Sequence, residues 1–212
     1  MIRAGAPAVP ALEKCLRNGP PYLRVRALYV LGEMGAPAAP AIPAVLVALK
    51  DGDPDVRAAA QEALNAMGTD RAAVIDALLA ALRGGDAPLQ VEAAGMLGSL
   101  KPVAASTAAA LAAALGDRSS SVRIAAAEAL ENADPAARSA VPALAKALKD
   151  ESEEVARASA RALGRIGMEE ELAARALAEA FAEGGKVSGA AEEALVAVGR
   201  PGVPALLEIL AK

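Results

Sequence analysis

The sequence predicts an all-α fold: a right-handed α-solenoid of about six two-helix repeats on a 33-residue period, closed by a single terminal helix. Three observations predict it. The first is register. Leu16, Leu49, Leu82, Leu115, Leu148 and Phe181 fall at equal steps of 33, as do Leu31, Leu64, Leu97, Leu130 and Leu163, with Leu195 one residue early. A further column holds Leu23, Val56, Leu89, Val122 and Val155, with Val187 one early. Fixed periods of ~20–50 residues mark repeat arrays, whereas a bundle of amphipathic helices has no reason to keep such a step. The second is near-repetition of text: DGDPDVRAAAQEALNAMG at 51–68 returns as DESEEVARASARALGRIG at 150–167, three periods later. The third is composition. The 212 residues are 55% hydrophobic but only 1% aromatic, and alanine supplies much of the difference. Alanine suits closely packed helices, while sheets favour β-branched and aromatic residues.

Taken in order, the units run 1–35, 36–68, 69–101, 102–134, 135–167 and 168–199, with a final helix over 200–212. That gives thirteen helices in one continuous core without a linker, a single domain over 1–212. Each unit reads as two helices, most clearly in the second. Ile42, Val45, Leu46 and Leu49 give the i, i+3, i+4, i+7 stripe of a first helix. Asp51-Gly52-Asp53-Pro54 breaks it, with Asp53 as N-cap and Pro54 at the first position of the next helix. Val56, Ala59, Ala60, Ala63, Leu64 and Met67 form the buried stripe of the second helix, and Gly68 ends it. Gly35, Gly167 and Gly199 hold the same position, but Lys101 and Asp134 replace the glycine in two units, so those turns should end differently.

These residues resemble a known family. The pattern P-A-L-x-x-A-L-K-D followed by x-x-V-R-x-A-A-A-x-A-L-G-x-I-G, strongest in PALAKALKDESEEVARASARALGRIG at 142–167 and close at 43–68, is similar to that of HEAT repeats. The nearest subtype is the short bacterial kind, HEAT-like or bilin-lyase-type repeats. The resemblance covers essentially the whole chain, and it is specific for fold but not for function. It implies that the turn Asp and the Arg after the Val form a polar ladder between helices, here Asp51 and Arg57. Arg24 and Arg123 also stand in the Arg column, and Asp117 lies near the Asp position of the fourth unit. Gln90, Ala156 and Ser188 fill that column in three units, so the ladder is expected to be interrupted there.

Chemistry-bearing residues are sparse. The chain has no histidine and one cysteine, Cys15, which excludes an intramolecular disulfide and a CxxC zinc site. Cys15 lies beside core Leu16 and is read as an inert, buried thiol. The glycines punctuate repeats and form no phosphate-binding loop. Glu151, Glu153 and Glu154, and again Glu169, Glu170 and Glu171, sit at expected helix starts, where carboxylates complement the helix dipole. No cofactor or metal is expected, and no catalysis. Hydroxylases built from HEAT repeats need His-Glu motifs, and HEAT-like DNA glycosylases use aromatics and a basic groove. A net charge of −4, with no Trp, two Tyr and one Phe, fits neither and argues against nucleic acid. The longest uncharged stretches, 34–49 and 102–116, are shorter than the ~20 residues a membrane span needs. The N-terminus reads as no signal peptide, so the cytoplasm is the default location.

What remains is surface. In such a solenoid the second helices line a concave face, and three positions on each escape the core. Val25, Ala58, Val91 and Ile124 then form an apolar row with Tyr29 beside it, Glu62 and Glu128 lie one turn on, and Arg157, Arg161 and Arg165 form a column of three positive charges. Aligned apolar residues mark contact patches, and Tyr and Arg are enriched at binding hot spots. The expected function is a non-catalytic scaffold that binds a peptide or protein in this groove, with apolar side chains along the row and an acidic end at the arginines. The competing reading of the same residues is a half-buried row, with the arginines paired to Glu128 and Glu193 in a solvated ion network. Two further functions stay open: a bilin-lyase-like or cofactor-attachment protein, suggested by the repeat subtype alone, and a spacer fragment or engineered repeat without a single partner. Leu206, Leu207, Ile209 and Leu210 make the last helix apolar, which suggests end-to-end self-association.

Overall fold

The computed structural model describes residues 6–67, 71–84, 87–100, 102–133, 135–166, 170–184, 187–199 and 201–211. Among them are thirteen α-helices, three 3₁₀ segments and no strand. Helix contacts gather into two compact units, Met1–Gly84 and Gly85–Lys212.

The first unit holds α1 (Val9–Asn18), α2 (Pro21–Met34), α3 (Ile42–Ala48), α4 (Pro54–Ala66) and α5 (Arg71–Gly84). Helices α1, α3 and α5 stack in one layer, and α2 and α4 in the other. The second unit holds α6 (Ala87–Ser99), α7 (Ala105–Ala114), α8 (Ser120–Glu131), α9 (Val141–Ala147), α10 (Glu153–Ile166), α11 (Glu171–Glu183), α12 (Ser188–Val198) and α13 (Gly202–Leu210). Here α6, α8, α10 and α12 form one layer and α7, α9, α11 and α13 the other. First helices pack on first helices and second on second, as a repeat array requires.

Local chemistry explains the element boundaries. Asp53 caps α4, its side chain accepting from the backbone N–H groups of Asp55 and Val56, with Pro54 at the first helical position. Gly35 and Gly199 end α2 and α12 at φ 65° and 84°, a conformation that side chains with a Cβ resist. Gly68, Lys101, Asp134 and Gly167 lie outside the described residues. Two first helices are shorter than the 33-residue unit suggests, because 3₁₀ segments Ala36–Ala41 and Pro135–Ala140 precede α3 and α9. Pro37 and Pro40 remove backbone donors along the first of these stretches, and Pro43 does so in the first turn of α3, so an unbroken α ladder cannot run through it.

The leucine columns form the core. Leu31, Leu97, Leu130 and Leu163 are buried, as are Leu16, Leu82, Leu115 and Leu148. Leu23 departs from its column and is 38% exposed, whereas Val56, Val122 and Val155 are fully buried. Among the described residues, α2 packs on α1, on α4 and on the 3₁₀ segment between α2 and α3, whereas α8 packs on α6 and α10, and α10 on α8 and α12.

The polar ladder differs in its pairing from the expectation. Arg57 does not pair with the Asp51 carboxylate; its Nη1 donates to the backbone carbonyls of Asp51 and Gly52 at 2.7 and 2.9 Å. The Asp51 carboxylate instead takes Arg24 of the preceding repeat at 2.9 Å, and the N–H of Asp53 at 2.9 Å. Arg123 reaches Asp150 in the same way. Gln90 does not interrupt the ladder, because its Nε2 donates to Asp117 Oδ2 at 3.2 Å. A neutral amide spans the same gap as a guanidinium and keeps the bond without the charge. At Ala156 the side chain has no polar atom to offer, and Ser188 Oγ donates instead to the Phe181 carbonyl at 3.3 Å.

Candidate protein-binding surface

In the first unit the exposed face comes from α2 and α4. The second helices stack through small residues, which brings the two backbones together: a methyl placed on Gly32 would lie 3.2 Å from the Ala63 Cα. Outward of this contact, Val25 is half-buried, Tyr29 is 50% exposed, and Ala58 and Glu62 are exposed. These residues border an open cleft lined by Tyr22, Val25 and Tyr29 of α2, by Asp55 and Ala58 of α4 and by its N-cap Asp53. Arg26 lines it too. The structure thus brings Val25, Tyr29 and Ala58 into one cleft.

Tyr22 was missing from the sequence-derived row. At 68% exposure it is the more exposed of the two tyrosines. The signal was present: Tyr22, Val25 and Tyr29 stand at i, i+3 and i+7, on one side of a helix. Pro20 and Pro21 obscure it, since α2 begins at Pro21 and Tyr22 falls in its first turn.

In the second unit Val91 and Ile124 are half-buried, and Glu128, Arg157, Arg161 and Arg165 are exposed. Arg161 Nε lies 3.2 Å from Glu131 and its Nη2 3.8 Å from Glu128, both on the neighbouring α8. Arg157 pairs with Glu153 one turn earlier on its own helix rather than with Glu193 of α12. Exposed pairs of this kind contribute at most about 1 kcal/mol each. The arginine column is therefore partly neutralised by Glu128, Glu131 and Glu153, and Arg165 makes no ion pair among the described residues.

Elsewhere the chemistry is slight. Cys15 is half-buried, packed against the first-unit core rather than fully enclosed in it. Among the described residues no group of three or more His, Cys, Asp or Glu side chains is placed to hold a metal ion, and no helix is long and apolar enough to cross a membrane. On α13, Val203 and Leu207 are 62% and 63% exposed, while Leu206 and Ile209 are half-buried against neighbouring helices. The side chain of Leu210 lies outside the described residues.

A family model described as HEAT repeats matches residues 9–83 and 107–196, more than half of the chain. No curated protein sequence matches it. Among solved structures, the chain is similar to the crystal structure of an engineered protein at 24% identity and a TM-score of 0.50, over 92% of this chain and 97% of that one. A second engineered protein matches at 22% identity and a TM-score of 0.51, with 97% of this chain covering 64% of the other. A designed armadillo repeat protein, solved in complex with the peptide (KR)4, matches at 20% identity and a TM-score of 0.51, over 90% of this chain and 99% of that one. These likenesses show a fold, and the family match adds ancestry in sequence: the chain belongs to the HEAT-repeat family.

Proposed function

We propose that the chain is a non-catalytic scaffold that binds a peptide or protein segment on the exposed faces of its second helices. The α2–α4 cleft carries this reading, because it places both tyrosines of the sequence at the surface beside Val25 and Ala58. Tyrosine is enriched at binding hot spots. In the second unit, Arg157, Arg161 and Arg165 with their glutamate partners offer a polar contact surface of their own, which sets orientation more than affinity. The designed armadillo repeat protein was solved with a peptide bound, which supports peptide binding as a use of this architecture. The net charge of −4 disfavours nucleic acid as the partner.

Panning a random displayed-peptide library against the intact chain tests the reading. Recovered peptides are then measured against Tyr29→Ala and against Arg157→Glu with Arg161→Glu and Arg165→Glu. The expected result is a family of peptides that lose about tenfold or more in affinity with at least one of these variants. Recovery of no peptide above background, or of peptides indifferent to every variant, would sink the reading.

A further inference from the structure

We infer that the α2–α4 cleft takes a cationic segment, an arginine or lysine side chain laid against the tyrosine rings and met by the Asp55 carboxylate. The inference rests on the peptide-binding reading above and names the chemistry of the partner at that same site.

The geometry of α2 comes first. Tyr22 and Tyr29 are the two tyrosines of the chain, and both project from one helix into one cleft. Seven residues of α-helix separate them by about 10 Å along the axis. Half-buried Val25 lies between them, and the small side chain of Ala58 on α4 leaves the space opposite open. A side chain entering there meets an aromatic flank over much of its length.

Charge then selects what enters. Asp53 and Asp55 line the α4 side of the cleft, with Glu62 one turn beyond Ala58 and Glu33 one turn beyond Tyr29, both exposed. Asp53 Oδ1 is committed to the helix cap, where it accepts from Asp55 and Val56, whereas Asp55 is exposed at the head of α4. Arg26 is the basic residue lining the cleft. An acidic segment would meet an excess of carboxylates, and a purely apolar one would cover Asp55 without giving it a partner. A cation meets both the negative face of the rings and the carboxylates. Arginine suits the site better than lysine, because its planar guanidinium stacks on a ring while still donating to an acid. Arg26 opposes this ligand, which gives the inference a variant of opposite sign.

Fluorescence anisotropy tests it with three labelled peptides of equal length: alternating Arg and Ala, alternating Glu and Ala, and alternating Ser and Ala. The arginine peptide is expected to bind best. Tyr22→Ala with Tyr29→Ala leaves the net charge unchanged and is expected to weaken that binding about tenfold, Asp55→Asn about threefold, and Arg26→Gln is expected to tighten it about threefold. Circular dichroism reports whether the double-tyrosine variant folds. Should it not, the opposite shifts of Asp55→Asn and Arg26→Gln carry the test alone. Arginine-peptide binding that ignores all these variants is general attraction to an acidic protein and overturns the inference. Preference for the serine or glutamate peptide overturns it while leaving the scaffold reading intact. If neither these peptides nor any displayed library member binds, both fall together.

Discussion

Arg123 and Asp150, 27 residues apart, meet through two hydrogen bonds, Nε to Oδ2 at 2.9 Å and Nη2 to Oδ1 at 2.8 Å. The remaining nitrogen, Nη1, turns back to the carbonyls of Asp117 and Arg118 at 3.0 and 3.2 Å. One guanidinium therefore ties the turn of its own repeat to the turn of the next. Asp150 in its turn accepts the N–H of Ser152 at 2.9 Å, which fixes the start of α10. Arg24 with Asp51, and Gln90 with Asp117, repeat the relation at the same separation of 27.

Burial sets how much each rung contributes. The Arg123 and Asp150 side chains are 8% and 13% exposed, against 20% and 17% for Arg24 and Asp51. Arg123→Met strands a buried carboxylate and two turn carbonyls, and is expected to cost about 3 kcal/mol. Arg24→Met, at the wetter rung, is expected to cost about half of that. Urea unfolding of the two variants checks the order, and equal losses would show that burial does not rank the rungs.

Acid should loosen the same rung. Burial alone would raise the Asp150 carboxyl, but the hydrogen bond from Arg123, the Ser152 N–H and the Arg123 charge together outweigh it and hold the group below the usual carboxylate range. A folded pKa below the unfolded value of about 3.9 gives stability that is complete above that value and is lost as pH falls through the folded pKa. Asp150→Asn is expected to lower stability at neutral pH and to flatten the fall below about pH 4. Melting temperatures taken from pH 2 to 7 read the slope, and an unchanged acid limb would place the effect in other carboxylates.

Arg57 reaches no side-chain carboxylate among the described residues, only the carbonyls of its own turn. Twenty-seven residues on, where Asp51, Asp117 and Asp150 stand relative to their partners, the chain has Gly84. Gly84 is exposed, a Cβ built there meets nothing within 4 Å, and its backbone is not among the positive-φ glycines of the described residues. Gly84→Asp should therefore supply the absent carboxylate and stabilise by ~0.5–1 kcal/mol. In an Arg57→Ala background the gain should vanish, and a double-mutant cycle by thermal unfolding measures it. A gain that survives without Arg57 would mean that the aspartate acts only as a turn residue.

Much of this fold was legible because a period of 33 makes each position testimony for its equivalents. Leu31, Leu97 and Leu163 are buried where their column said they would be. Direction across the stack was not legible. Arg57 lies six residues after Asp51, and Arg24 lies 27 before it, so the two columns admit both pairings. Only packed helices reveal that the carboxylate belongs to the preceding repeat and the turn carbonyls to the arginine's own. Gln90 looked like a loss because the resemblance concerns charge, whereas the bond needs only a donor of the right reach. The surface was read in part. Val25, Tyr29 and Ala58 share a cleft, but Tyr22 was hidden by the prolines that start α2, and Glu131 and Glu153, which take up the arginine charges, were invisible to a count of outward positions.

Gly95 and Gly98 lie on α6, three residues apart, and should respond to alanine with opposite signs. A methyl at Gly98 would sit 2.6 Å from the Ala129 Cα and 2.9 Å from its carbonyl oxygen, so α6 and α8 would have to separate. Overpacking of backbone against backbone is expected to cost about 1–3 kcal/mol. A methyl at Gly95 meets nothing within 4 Å on an exposed face, and Gly95→Ala should stabilise by about 0.5–1 kcal/mol through helix propensity alone. Chemical denaturation of both variants decides it. Matching effects would show that propensity rather than close approach governs this helix.

Ser159 stands in a column otherwise filled by buried alanines, Ala27, Ala60, Ala93 and Ala126. It is fully buried on α10, and its hydroxyl oxygen has no hydrogen-bond partner among the described residues. A buried hydroxyl without a partner carries its desolvation penalty uncompensated, about 1 kcal/mol or more. Ser159→Ala removes that penalty and leaves no cavity larger than one oxygen atom, so it is expected to stabilise by about 1 kcal/mol. The reciprocal change, Ala126→Ser, installs the same hydroxyl at the equivalent buried position of α8 and should destabilise by a similar amount. Thermal unfolding of the pair gives two readings of one quantity with opposite sign. Loss of stability in Ser159→Ala would mean that the hydroxyl gains more in the folded chain than burial costs it, and the alanine column would then no longer describe what that position requires.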